Sequence, residues 1–315
     1  MLPLIRVKTY LGLAHPAYVK TKNNLKTFFR MTMFSTAEVY SPKTLPEAYL
    51  RLQELNGRAR LLAGGTDLMV QLHDHLGVAP AYLNIWSLNE LRGIEEVDDH
   101  LRLGALTTHT QMIKSPLVKQ FCPILIEAAK TVGGVQIQNR GTLGGNIVNA
   151  SPAGDTLPIL AACEAQLELG SHRGIRVVAF NEFYTGYRQT ILAPDELVVA
   201  VRLPKISPNA KLFFQKVGSR QALVISKVVM AGKAEVDHEK RIRSIGLGLG
   251  SVAPIVIRLR KTEALLQNQV LTEALIENAR QTVGQEIKPI TDIRSTEHYR
   301  RTIAGNLVEK FLRLL

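Results

Sequence analysis

The stretch VGGVQIQNRGTLGGNIVNASPAGDTLP, residues 132–158, is rich in glycine and asparagine and carries only two charged side chains, Arg140 and Asp155. At its centre, Gly144-Gly145 has no Cβ atoms, so the backbone there can approach a ligand closely. Backbone N–H groups can hold an anion without adding positive charge. Taken alone, the stretch leaves two interpretations open: a long flexible loop, or a backbone cradle for a ligand.

A second pair of glycines makes the cradle the better interpretation. In LLAGGTDLM, residues 61–69, an apolar segment typical of a short strand runs directly into Gly64-Gly65, and Thr66 adds a hydroxyl donor. The segment matches neither GxxxxGK[ST] nor GxGxxG, and by itself it is most often a tight turn. Two such pairs in one chain favour a ligand with two linked phosphates, because such a ligand needs many donors.

The composition predicts a chain of about two domains, with 315 residues of which 46% are hydrophobic. No apolar run approaches the roughly 18 residues of a membrane-spanning helix, so we expect no membrane segment. Cys122 and Cys163 have apolar neighbours and predict buried free thiols rather than a disulfide scaffold or an iron–sulfur site. A reducing compartment, the cytoplasm, fits this cysteine usage best.

The net charge of +12 raises the possibility of nucleic-acid binding, but half of it comes from residues 1–30, which contain six basic residues and no acid. The remaining chain has no basic stripe interleaved with aromatic residues, so we expect no nucleic-acid partner. Residues 1–33 form an N-terminal extension of unclear origin. For it, an upstream start codon is favoured over a functional basic arm.

The pattern of predicted elements favours the α+β class, because helices and strands are mixed without a strict βαβ rhythm. Thr44-Leu-Pro-Glu47 has the form of a capping box at the start of a helix. A second helix is predicted over residues 117–131, and a hairpin turn at residues 172–174. The Pro204–Pro208 connection is the predicted domain boundary, and strands followed by three helices are predicted beyond it.

The histidines carry little information by themselves. His73 and His75 have no third ligand at a useful spacing, so no metal site is predicted. His109 and Tyr184 are expected to pack in the interior or to form hydrogen bonds at helix ends. No Ser-His-Asp or Cys-His signature is present, so no catalytic side chain is predicted.

Three segments, in the same order, closely resemble the FAD-binding (medium) subunit of molybdenum hydroxylases. They are LLAGGTDLMVQL (61–72), GTLGGNIVNASPAGDTLPIL (141–160) and FNEFYTGYRQTILAPDELVVAVRLP (180–204), and the resemblance covers about residues 34–315. It implies an FAD-binding fold of the vanillyl-alcohol oxidase type, with two α+β subdomains in residues 34–207. A C-terminal domain with a three-stranded sheet plus a helical bundle then follows in residues 208–315.

The resemblance also implies which positions hold FAD. Two loops would bind its pyrophosphate and ribityl chain, Val198 would pack near the adenine, Asp155 would touch the cofactor, and Lys216 would lie near the flavin end. Arg220 is a candidate for a gate that controls the access of NAD. The two loops contribute Leu62, Ala63, Gly64, Gly65, Thr66, Asp67, Leu68, Thr142, Gly144, Gly145 and Asn146.

The function implied by the resemblance is electron transfer through a bound cofactor. A molybdenum–pterin centre on a large partner subunit would oxidise the substrate, [2Fe–2S] clusters on a small subunit would relay the electrons, and FAD in this chain would pass them to NAD. GGTDLMVQLHDH and SLNELRGI look most like bacterial xanthine dehydrogenases, so purine oxidation is the first choice. The alternatives are an aldehyde, carbon monoxide or N-heterocycle dehydrogenase, or a flavin-free assembly subunit.

Overall fold

The computed structural model describes residues 37–315 except 75, 77, 221 and 222. The predicted N-terminal extension, residues 1–33, and His75 lie outside the described residues. Along the described chain, three groups of helices and strands follow one another, and each is associated with a buried apolar cluster.

The first group contains β1 (Glu38–Tyr40), α1 (Leu45–Leu55), β2 (Ala59–Leu62), α2 (Leu68–His73) and β3 (Ala81–Asn84). Its strands form a parallel sheet in the order β1-β3-β2. The predicted helix start is confirmed, since the Thr44 hydroxyl accepts a hydrogen bond from the Glu47 N–H (3.3 Å). The Glu47 carboxylate binds the Lys43 N–H (2.8 Å), one residue before the position expected for a capping box.

The strands of the second group are β4 (Ile94–Val97), β5 (His100–Gly104), β6 (Gln166–Ser171), β7 (Gly174–Ala179), β8 (Tyr184–Gly186), β9 (Gln189–Thr190) and β10 (Leu197–Pro204). Five form an antiparallel sheet in the order β4-β5-β10-β6-β7, and β8 pairs with β9. The predicted hairpin is confirmed, because Ser171 pairs with Gly174. Strand β10 is buried on both faces: Val199 packs in the first group's core and Val198 in the second's.

The helices of the second group are α3 (His109–Lys114), α4 (Pro116–Phe121), α5 (Pro123–Lys130), α6 (Val135–Arg140), α7 (Leu143–Val148) and α8 (Leu157–Ala162). The prediction of one helix over residues 117–131 is wrong. The chain leaves the helical conformation at Cys122 (φ −152°), because Pro123 lacks an N–H and crowds the residue before it. The polar stretch 132–158 holds two short helices, α6 and α7, rather than one long loop.

The third group contains β11 (Lys211–Val217), β12 (Val228–Val236), β13 (Ile242–Gly250), β14 (Ile257–Arg258), α9 (Arg260–Leu266), α10 (Glu273–Glu286) and α11 (Glu297–Leu312). Its antiparallel sheet has the three long strands that were expected, and the two-residue β14 adds a fourth at the edge. The predicted boundary near residue 207 falls between β10 and β11, and it stays a prediction.

Helix α8 joins the second and third groups because glycines on β13 let its backbone lie directly on the sheet. A Cβ atom at Gly248 would lie 2.8 Å from the carbonyl carbon of Pro158, and one at Gly246 would lie 3.1 Å from that of Ala162. The glycine alternation in IGLGLG therefore serves close helix–sheet packing. None of the helices in the described part of the chain combines the length and hydropathy needed to span a membrane.

Candidate functional site

A cleft of about 620 Å³ opens where the two glycine-rich segments meet. One wall is the loop between β2 and α2, and another is the start of α7. Leu62, Asp155, Lys216 and Arg220 are not among the residues that line it. The predicted site residues that do line it are Ala63, Gly64, Gly65, Thr66, Asp67, Leu68, Thr142, Gly144, Gly145, Asn146 and Val198.

The glycines of the first loop are required by the protein's own packing. A Cβ atom at Gly64 would lie 2.6 Å from the carbonyl carbon of Arg140, at the end of α6, and closer still to its oxygen. Gly65 has φ +79°, a conformation that side chains other than glycine adopt at a cost. Gly64 therefore brings the two segments together, and Gly65 turns the chain into α2.

The glycines of the second segment differ in role. A Cβ atom at Gly144 would lie 2.7 Å from the Cβ of Ala105, so Gly144 allows α7 to pack on the chain just beyond β5. A Cβ atom at Gly145 would meet only the Thr142 hydroxyl, at 2.8 Å, and the residue is exposed in the cleft wall. Of this pair, only Gly145 offers bare backbone to a ligand.

The two segments offer different kinds of donors. In the described structure, the backbone N–H groups of residues 64–67 donate no hydrogen bond within the protein. Those of Leu143 and Gly144 donate to Thr107 and Ala105 (both 2.9 Å), and that of Gly145 donates to the Thr142 hydroxyl (3.1 Å). Amide donors were expected at both glycine pairs, but the amides of Gly144 and Gly145 are already bonded within the protein. At this second pair, side chains are the additional source of donors.

A set of polar side chains connects the cleft walls. Asp67 accepts hydrogen bonds from Asn149 (3.3 Å) and from Gln71, and Gln71 in turn accepts one from Arg60 (2.8 Å). The side-chain oxygen Oδ1 of Asn146 accepts a hydrogen bond from the Thr156 hydroxyl (2.7 Å). The side-chain NH₂ group of Asn146 is therefore available as a donor.

His109 is a wall residue that the sequence did not reveal. It begins α3 behind a complete capping box of Thr108 and Gln111, and its imidazole is only 2% exposed. Burial lowers its pKa to about 4, so the ring is neutral at physiological pH. Its Nδ1 atom is buried without a hydrogen-bond partner in the described structure, and the opposite edge of the ring faces Gly141.

Asp155 and Lys216 form a buried ion pair (2.6 Å) just outside the cleft lining. The Lys216 ammonium also donates to the Thr131 carbonyl (3.0 Å), next to Val132 of the cleft wall. Burial raises the pKa of Asp155 to about 6, although Lys216 opposes the shift. The pair connects the start of α8 to β11, and Asp155 Oδ1 is buried without a partner among the described residues.

Neither Arg220 nor Leu62 lines the cleft. Arg220 donates from Nε to the Leu223 carbonyl (3.1 Å). Leu62 is the last residue of β2, and its carbonyl accepts a hydrogen bond from Ile85 (3.0 Å). No group of three or more histidine, cysteine, aspartate or glutamate side chains among the described residues could hold a metal ion.

Two family models account for most of the chain. Residues 32–206 match the FAD binding domain in molybdopterin dehydrogenase, and residues 213–315 match the CO dehydrogenase flavoprotein C-terminal domain. The chain belongs to the FAD-binding subunits of molybdopterin dehydrogenases. It is therefore a subunit of an oxidoreductase, FAD is its cofactor, and the fold predicted from the resemblance is confirmed.

Relatives of this family with different named substrates are similar to the chain. The xanthine dehydrogenase FAD-binding subunit of Escherichia coli O157:H7 is 34% identical over 288 residues, covering 89% of this chain and 96% of the relative. The nicotinate dehydrogenase FAD-subunit of Eubacterium barkeri is 27% identical, covering 87% and 94%. Carbon monoxide dehydrogenase from Hydrogenophaga pseudoflava, solved without the Mo-pyranopterin moiety of its cofactor, superposes with a TM-score of 0.84 at 29% identity, covering 88% of this chain and 96% of that one.

Proposed function

We propose that this chain holds FAD in the cleft and serves as the flavin subunit of a molybdenum-containing xanthine dehydrogenase. Electrons would arrive from [2Fe–2S] clusters on a small partner subunit, which would receive them from a molybdenum–pterin centre on a large one. NAD would be the final acceptor. The observation that carries the proposal is the convergence of free amides at residues 64–67 with Asn146 and Asn149 in one cleft.

The cleft has the donors that a pyrophosphate needs. The free N–H groups of residues 64–67 and the Thr66 hydroxyl would bind its oxygens, and the Asn146 NH₂ would donate from the opposite segment. Thr142 holds the Gly145 amide (3.1 Å), which keeps the bare backbone of Gly145 at the cleft surface. Predicted positions 62–68, 142 and 144–146 thus remain our assignment for pyrophosphate and ribityl binding.

The rest of the wall is suited to the uncharged parts of the cofactor. Val198, Leu197 and Leu106 are buried apolar residues of the wall, and we assign Val198 to the adenine end. Neutral His109 adds hydrogen-bonding capacity without charge. Bound FAD supplies the two-electron redox chemistry, while these side chains exclude water and fix its orientation.

The Asp155–Lys216 pair is our assignment for the flavin end. The pair lies close to two residues of the cleft wall, Val132 and Asn146. Lys216 binds the carbonyl of Thr131, which precedes Val132, and Thr156, which follows Asp155, binds Asn146. The unpartnered Asp155 Oδ1 has the capacity to accept a hydrogen bond from a cofactor N–H or O–H. Arg220 remains our candidate for the gate through which NAD approaches.

Xanthine is the proposed substrate because the xanthine dehydrogenase relative, at 34% identity, is more similar than the nicotinate enzyme at 27% or carbon monoxide dehydrogenase at 29%. The substrate itself would bind on the large subunit. An aldehyde, carbon monoxide or N-heterocycle dehydrogenase is the alternative. The free thiols of Cys122 and Cys163 support a cytoplasmic location.

Purification from the native source tests the proposal in two steps. First, we expect about one FAD per chain and co-purification of a molybdenum subunit and an iron–sulfur subunit. A colourless chain that FAD cannot reconstitute would contradict the assignment of the cleft. Second, the complex should reduce NAD with xanthine more rapidly than with nicotinate, an aldehyde or carbon monoxide. Faster turnover with any of these would replace xanthine as the substrate.

A further inference from the structure

Arg188 enters the cleft from a part of the chain that carries no glycine-rich motif. Tyr187 and Arg188 form the two-residue turn between β8 and β9. Arg188 has φ +54°, in the left-handed region where glycine and asparagine are the usual turn residues. This exposed residue nevertheless lines the cleft, as Leu197 and Val198 do.

The guanidinium of Arg188 has no charged partner in the described structure. Its Cζ atom lies 5.9 Å from the ring centroid of its neighbour Tyr187. The two acids just before β10 pair with other arginines, since Glu196 binds Arg176 (2.7 Å) and Asp195 binds Arg173 (3.0 Å). Arg188 is therefore a cation at the cleft without an anion.

The hairpin that carries Arg188 is fixed to the same helix that forms the second wall of the cleft. The Tyr184 hydroxyl donates to the carbonyl of Ile147 in α7 (2.9 Å) in a buried hydrogen bond. The Tyr184 ring also packs edge-on against Phe180 (5.5 Å) and Phe183 (5.3 Å). These contacts of Tyr184 fix the position of the β8–β9 turn relative to α7. The position of Arg188 at the cleft therefore follows from the packing of the hairpin.

The side chains that line the cleft carry a net positive charge, which favours an anionic ligand. Among the described residues that line the cleft, Arg60 and Arg188 are basic, Asp67 alone is acidic, and His109 is neutral. Asp67 already accepts hydrogen bonds from Asn149 and Gln71. The free amides of residues 64–67 bring partial positive charge but no full charge. A pyrophosphate dianion would complement this arrangement.

We propose that Arg188 is a phosphate-binding residue of the FAD site, pairing its guanidinium with the pyrophosphate oxygens. The inference rests on the proposed function and adds the full positive charge that the amides lack. Guanidinium groups bind phosphate oxygens through two parallel N–H donors, which lysine cannot reproduce. The turn between β8 and β9 is thus part of the cofactor site, although no glycine-rich segment points to it.

Titration of the full-length, flavin-free chain with FAD and with riboflavin tests the assignment, because riboflavin has no phosphate. We expect Arg188→Gln to weaken FAD binding about tenfold at low salt and to leave riboflavin affinity unchanged. Arg188→Lys should retain part of the affinity. The salt dependence of FAD binding should be smaller in R188Q than in the wild type. Gln189→Ala, in the same hairpin, and Arg294→Gln, with the same charge change in the third group, should bind FAD like the wild type.

Three results would overturn the inference alone: unchanged FAD affinity in R188Q, an equal loss of riboflavin affinity, or a loss of FAD affinity that salt does not affect. The last would indicate stacking of the guanidinium on adenine instead of phosphate pairing. A wild-type chain that binds no FAD would overturn the proposed function and this inference together. The wild-type titration therefore separates the two failures.

Discussion

Gly64 and the carbonyl group of Arg140 are in contact where the two segments that form the candidate cleft meet. A Cβ atom at Gly64 would lie 2.6 Å from the Arg140 carbonyl carbon and closer still to its oxygen. The side chain of Arg140 stacks on Trp86, with 3.8 Å between Cζ and the ring centroid, and so anchors the end of α6 against the first group. The spacing of the two walls depends on this contact.

Gly64→Ala should therefore damage both stability and flavin binding. The added methyl group meets backbone rather than a flexible side chain, so the segments must separate, at a cost of about 1–3 kcal/mol. We expect a lower melting temperature of the flavin-free chain and a loss of bound FAD. Gly284→Ala is the matched control, because nothing lies within 4 Å of a Cβ atom there. It lies inside α10, where alanine should be neutral or slightly stabilising. Equal FAD retention in both variants would contradict the packing role of Gly64.

Thr142→Val should affect stability and FAD affinity together. The Thr142 hydroxyl caps α7 by accepting the Gly145 N–H (3.1 Å), and it lines the cleft. Loss of the cap should cost about 1 kcal/mol of unfolding free energy. Ser115→Ala removes a similar cap on α4 (3.3 Å to Val118 N) away from the cleft. It should lower stability by a similar amount while FAD affinity, measured by titration, stays at the wild-type value. An equal loss of affinity in both variants would count against a role of Thr142 in the site.

Local signals in the sequence predicted local structure well. Thr44 and Glu47 marked a helix start, and Gly174 marked a hairpin, because caps and tight turns depend on neighbouring residues. The helix break at Cys122 was missed because the apolar periodicity continues through residue 122. Pro123 was the local signal that could have predicted the break. Residues 132–158 looked like a loop because their helices are short and are stabilised by distant contacts, such as that of Gly144 with Ala105.

Sequence motifs predicted only the part of the candidate site that the two glycine-rich segments form. Both glycine pairs were located, but which amides are free depends on partners such as Thr107 that no local pattern specifies. His109 has no local sequence signal, and Arg188 was not singled out within the resembling segment 180–204, because tertiary structure brings α3 and the β8–β9 turn to the cleft. Asp155 and Lys216 were implied by resemblance, whereas their ion pair was not expected.

His109 should make the chain less stable in acid. Its native pKa of about 4 lies below the ordinary 6.5, so the unfolded state binds the proton first as the pH falls. The free energy of unfolding therefore falls as the pH decreases from about 6.5 to about 4. At pH 5 it should be about 2 kcal/mol lower than at neutral pH. In His109→Leu, the decrease in melting temperature from pH 7.5 to pH 5 should be smaller than in the wild type. His238→Leu, at an exposed position, should leave the decrease unchanged. An equal decrease in H109L and wild type would show that His109 is not the buried neutral residue described here.

Lys216→Met should produce the opposite pH dependence. Asp155 already titrates near 6, above its ordinary 3.8, and losing Lys216 should raise its pKa further. A carboxyl group with a raised native pKa is favoured in its protonated form, so stability falls as the pH rises through that range. Lys216→Met should thus lose several kcal/mol at pH 7.5 and regain much of it at pH 5. The double variant with Asp155→Asn should lack this recovery. Thermal unfolding of both variants at pH 7.5 and pH 5 measures this recovery. If the double variant also regains stability at pH 5, protonation of Asp155 is not its cause.

The central claim is that the free amides of residues 64–67 hold the FAD pyrophosphate, and a crystal structure of the chain with bound FAD tests it most directly. We expect pyrophosphate oxygens within hydrogen-bonding distance of those N–H groups, about 2.7–3.2 Å from N to O. The Asn146 side chain should approach from the opposite wall. A pyrophosphate bound elsewhere, with these four amides facing only water, would contradict the account.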